Sequence, residues 1–170
     1  RPDAITPEHL PVLHTLLRRG WQAGSAVTVR PSVTVAALSS LATGVSPETH
    51  GLVDTSLQNM GKLRGLRLLP DELRRLGVET TILTSHLGGS ARWVAGALLR
   101  FAGVTRLLPA PPAPGIMVET ALAHLARNPG RELVVLYLND ADLAGHAWGW
   151  MSPGYLQAAG TIDRALAGLE

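Results

Sequence analysis

The chain has 170 residues, 46% hydrophobic and 16% charged, too apolar for a disordered tail and long enough to bury most of its surface in one core. Fifteen basic residues against thirteen acidic leave a net charge of +2, and the arginines are scattered, which excludes the clustered stripe of a nucleic-acid surface. Cysteine is absent, which removes disulfides, thiolate metal sites and a cysteine nucleophile, and the longest aliphatic-aromatic run, Leu133 to Leu138, is far short of the roughly twenty residues of a membrane helix.

Thr6 to Arg19 carries apolar residues at helical spacing and stops at Gly20. Ala26 to Val33 is rich in β-branched residues and predicts a strand. Val35 to Ala42 predicts a helix ending at Gly44, and Leu69 to Leu76 another ending at Gly77. Glu79 to Thr84 predicts a strand, Trp93 to Phe101 a helix, and Val104 to Leu108 a short strand. The proline-rich stretch from Pro109 to Pro114 is a stiff surface connector. Met117 to Ala126 predicts a helix stopped by Asn128-Pro129-Gly130. Leu133 to Leu138 is apolar on both faces and predicts the central strand of a parallel sheet. Pro153 to Leu169 predicts the last helix. This alternation predicts a single α/β domain over residues 1–170, with a mostly parallel sheet and helices on both faces. Ligands of such folds bind at the carboxyl ends of the strands.

Two strand ends carry chemistry. Thr34 falls where the first predicted strand gives way to a helix. Its hydroxyl either caps that helix or faces an anion held by the free amides there, and the two roles are compatible. As a nucleophile it needs a base or a metal. The second strand end reads Asn139-Asp140-Ala141-Asp142-Leu143-Ala144-Gly145-His146. A carboxylate followed four residues later by an imidazole is a metal-ligand spacing, predicted here on a compact turn beside Gly145. The same residues also suit a solvated polar loop.

Taken together, these segments resemble the alkaline phosphatase superfamily, and within it the type I phosphodiesterase/nucleotide pyrophosphatase branch. The resemblance lies in Pro31 and Thr34, in Thr43-Gly44, in Pro47-Glu48-Thr49-His50-Gly51, and in Asp142 through His146 followed by Gly149, Ser152 and Tyr155. The ladder from Leu69 to Leu73, Gly77 and a strand ending near Ser85-His86 is similar too. The resemblance implies a metal-dependent phosphoesterase with an alkaline-phosphatase-like fold, truncated at both ends, so that residues 1–170 form the N-terminal part of a longer catalytic domain. It implies Thr34 as nucleophile and ligand of one metal, and Asp142 and His146 as ligands of another. Two divalent ions are implied, zinc by the donor types, with manganese or iron open. It implies a small phosphorylated substrate such as a nucleotide or phosphodiester.

The chain also departs from the pattern. A metal-binding Asp at the end of a first strand and three downstream ligands are not in view. Where many diesterases carry an Asn to hold a phosphoryl oxygen, Thr55 follows Asp54, so Thr55 is the candidate substrate contact. The piece alone is therefore expected to bind metal weakly and to turn over little substrate. His50 is expected to fix a turn with Gly51, and Trp148 and Trp150 either to wall a pocket or to pack. A sulfatase is disfavoured, because cysteine is absent and no Pro or Arg follows Thr34 at the required offsets. A phosphonate hydrolase, a phosphomutase, or a non-catalytic or decayed α/β scaffold remains the alternative.

Overall fold

A computed structural model describes residues 1–54, 62, 65–84 and 103–169. Among these residues the elements in chain order are α1 (Pro11–Arg19), α2 (Thr34–Thr43), α3 (Pro47–His50), α4 (Leu69–Arg75), β1 (Glu79–Thr84), β2 (Arg106–Pro109), α5 (Pro114–Arg127), β3 (Glu132–Tyr137), α6 (Asp140–Trp148) and α7 (Pro153–Leu166). The fold is α/β, and the described residues form a three-stranded parallel sheet in the order β2-β1-β3. Thr81 of β1 stands opposite Arg106 on one side and Val134 on the other.

The core follows from the strand alternation. Leu83 is fully buried against Met117 and Ala121 of α5, with Leu108, Val134 and Leu136 packed around them. Residues on one face of a strand recur every second position, which puts Thr81 on the face of Leu83. A second core joins Ala4 and Leu10 to Tyr155 and Ala159 of α7. It ties the N-terminal segment to the last helix.

Several elements fall as predicted and others do not. Helix α1 starts at Pro11 rather than Thr6, since Pro7 and Pro11 confine the start and proline is tolerated at the first helical position. Residues 26–33 form no strand: Val27 is 90% exposed, and among the described residues no backbone bond ties the segment to the sheet. A β-branched run without a neighbouring strand has no ladder to join. The strand predicted at the sheet centre, β3, is an edge strand among the described residues, and β1 is central. Its apolar side chains are accordingly only part-buried, with Val135 37% exposed. The helix predicted at 93–101 lies outside the described residues.

Candidate metal and nucleophile site

Thr34 is the first residue of α2, with Val33 extended before it and no side-chain cap. The first backbone bond into the helix is from the Ala37 N–H to the Val33 carbonyl, 3.1 Å. The amides of the turn that begins at Thr34 therefore lack intrahelical partners, as at any helix start. Thr34 itself is exposed. The helix ends at Gly44, whose φ of 70° is left-handed, with its N–H on the Ser40 carbonyl at 2.8 Å. Glycine takes that conformation without a Cβ penalty.

Behind α2 sits His50, 1% exposed. Its Nδ1 accepts the Leu52 N–H at 2.9 Å, and its Nε2 lies 2.9 Å from the Ser40 hydroxyl. Because Nδ1 accepts, Nε2 carries the proton and donates to Ser40 Oγ. His50 thus pins the turn after α3 onto α2, the role predicted for it, and both ring nitrogens are occupied.

Asp142 and His146 lie on α6, a helix rather than the compact turn predicted. Asp140 and Asp142 in its first turn suit the positive end of the helix dipole, and Ala and Leu favour its continuation. The i, i+4 spacing puts both side chains on one face, with Asp142 Oδ1 3.7 Å from His146 Nε2 and the side chains 53% and 71% exposed. Zinc bonds to carboxylate oxygen and imidazole nitrogen are each about 2.0–2.2 Å, so two donors 3.7 Å apart can share one ion. The pair fits part of a ligand set. Among the described residues no group of three His, Asp or Glu side chains converges on one point.

Thr34 and that pair stand on helices with different packing partners. Helix α2 packs on α3 and α4, whereas α6 packs on α7. Thr55 and His86 lie outside the described residues.

Sequence reasoning missed how His146 is held. Trp150 meets the imidazole edge to face, ring centroids 5.5 Å apart, and meets Tyr155 at 5.6 Å. A Cβ on Gly145 would lie 2.4 Å from the Trp150 ring. The signal was present in the sequence as glycine before the histidine and tryptophan four residues after it. Two residues beyond β3, Asn139 Oδ1 is buried without a hydrogen-bond partner among the described residues.

The amino ends of the strands hold a second polar group that sequence reasoning also missed. Glu132, its side chain 3% exposed, accepts from the Thr81 hydroxyl and lies 2.9 Å from His124 Nε2. The Asn128 amide nitrogen is 3.2 Å from His124 Nδ1, so Nδ1 accepts and Nε2–H donates to the carboxylate. Arg106 bridges Glu79 and Glu132, reaching the latter at 3.5 Å. Burial raises the Glu132 carboxyl pKa, but the hydrogen bonds from Thr81 and His124, with the nearby Arg106 charge, leave it below the ordinary 4.5. This group sits opposite the strand ends where α/β folds bind ligands. It braces the sheet.

No curated protein matches the chain. The family model of type I phosphodiesterase/nucleotide pyrophosphatase matches residues 1–62, which include Thr34 and the His50 turn, and so the N-terminal portion of the chain is similar to the phosphoesterase branch that its motifs resemble.

Proposed function

We propose that this chain carries part of the catalytic centre of a metal-dependent phosphoesterase of the phosphodiesterase/nucleotide pyrophosphatase kind. The observation that carries the reading is the Asp142–His146 pair: exposed oxygen and nitrogen donors on one helix face, immediately beyond a parallel strand. In this reading Asp142 and His146 hold one of two divalent ions, zinc by donor type, and Thr34 is the nucleophile and touches the other. Thr55 contacts the substrate. Bound ions would polarise the phosphoryl oxygens and lower the pKa of a hydroxyl beside them.

The chain's own residues do the rest. Thr34 Oγ1 forms a bond to phosphorus as the bond to the leaving oxygen breaks, and that oxygen departs with the electron pair and takes up a proton. Water then cleaves the phosphothreonine ester and restores the hydroxyl. The amides at the start of α2 offer donors to phosphoryl oxygens, and the helix dipole favours their negative charge. The substrate class is a small phosphodiester or nucleotide.

The test uses the protein that contains this chain, expressed whole, stripped with chelator and resupplied with zinc or manganese. Bis-p-nitrophenyl phosphate and p-nitrophenyl phosphate are compared as substrates. We expect metal-dependent release that falls about a thousandfold or more in Thr34→Ala. Absence of turnover and of bound metal would favour a scaffold instead.

A further inference from the structure

We infer that Trp150 is a positioning residue for His146, and that position 145 is glycine because the indole occupies the space of its side chain. The inference rests on the reading of His146 as a metal ligand. An imidazole with a side chain 71% exposed on a helix surface would otherwise sample several rotamers, and binding a metal would have to order it. Here one flank is taken by the Trp150 ring at 5.5 Å, while Nε2 stays 3.7 Å from Asp142.

Trp150 is itself held. The indole lies over Gly145, where a Cβ would come within 2.4 Å of its ring. It also meets Tyr155 at 5.6 Å, and Tyr155 is buried in the core with Leu10 and Ala159. The turn that presents it is specific. Gly149 has a φ of 89°, and Met151, with a φ of 65°, adopts a left-handed conformation that non-glycine residues rarely take. Such positions persist only where surrounding structure over-determines them, and here Ser152 Oγ accepts the Tyr155 N–H at 3.2 Å just beyond. A line of contact thus runs from the core through Tyr155 and Trp150 to His146.

The test is zinc affinity of the full chain by calorimetry, with urea unfolding to confirm that each variant folds. Wild type is compared with His146→Ala, Trp150→Leu, Trp150→Phe and Gly145→Ala. We expect His146→Ala to abolish the site. Trp150→Leu and Gly145→Ala should each weaken zinc about tenfold or more, the range seen when groups supporting a ligand are removed. Gly145→Ala is the sharper variant, because it raises helix propensity and keeps the tryptophan but denies it its place. Trp150→Phe keeps an aromatic flank and should restore affinity to within about threefold of wild type. If His146→Ala leaves zinc affinity unchanged, the ligand reading fails and the inference falls with it. If His146→Ala abolishes binding while Trp150→Leu and Gly145→Ala bind as wild type, the ligand reading stands and the positioning role is overturned.

Discussion

His50 and Thr34 sit near one helix and do opposite things. His50 is buried with both ring nitrogens engaged, to the Leu52 amide and the Ser40 hydroxyl. Removing the ring leaves a buried donor and a hydroxyl unpaired and opens a cavity. His50→Ala should therefore destabilise by about 2–4 kcal/mol, read from the denaturant midpoint. Thr34 is exposed and caps nothing, so Thr34→Ala should shift stability by less than about 0.5 kcal/mol while removing turnover. A large stability loss in Thr34→Ala would undo that separation of roles. His50 was legible as a turn residue because glycine follows it. Its partner Ser40 was not, because that bond exists only once α2 and α3 have docked.

Helix α1 raises a problem that its own sequence does not solve. Its N-cap residue is Leu10, whose side chain has no oxygen to offer the free amides of the first turn. The missing acceptor comes from α7: buried Asp163 accepts the Val12 N–H at 3.1 Å on one oxygen and the Leu13 N–H at 2.8 Å on the other. A carboxylate there also meets the positive end of the α1 dipole. Asp163→Ala should cost about 2–4 kcal/mol and loosen α1 from α7, whereas Asp163→Asn, which keeps one acceptor, should cost less. Amide exchange at Val12 and Leu13 provides the readout, and unchanged protection in Asp163→Ala would refute the cap. Local signals found α1, α2, α4, α5 and α7, since periodicity and glycine or proline stops are local, and read the short α3 and the helix α6 as turns. They misassigned residues 26–33 and, among the described residues, the rank of β3, because a strand is defined by its neighbours. The metal-ligand spacing of Asp142 and His146 was legible for the same local reason, and Trp150 was missed because its contact depends on how the turn after α6 folds back.

At the scale of the molecule, the sheet is held at its amino edge by charge and at its middle by Leu83. Glu132 of β3 gathers Thr81 of β1, His124 of α5 and Arg106 of β2, with Asn128 behind the histidine and Glu79 sharing the arginine. Residues from three other elements converge on this one carboxylate of β3, so its protonation is felt across the fold. The folded-state pKa of Glu132 is lowered below the ordinary 4.5. A depressed carboxyl pKa means that the unfolded chain takes up the proton first. The stability contributed by ionised Glu132 is therefore full above the unfolded value and is lost as pH falls through the folded one. Glu132→Gln keeps the size of the side chain but supplies one carbonyl where two carboxylate oxygens stood. It should be less stable than wild type at neutral pH, by about 1–3 kcal/mol, and its stability should fall less steeply below pH 4.5 than that of wild type. Denaturant midpoints measured for both proteins from neutral pH into the acid range decide the matter. Convergence of the two curves on acidification is the expected result. A gap that stays constant across the range would mean that the carboxylate acts by packing and geometry, with no contribution from its charge.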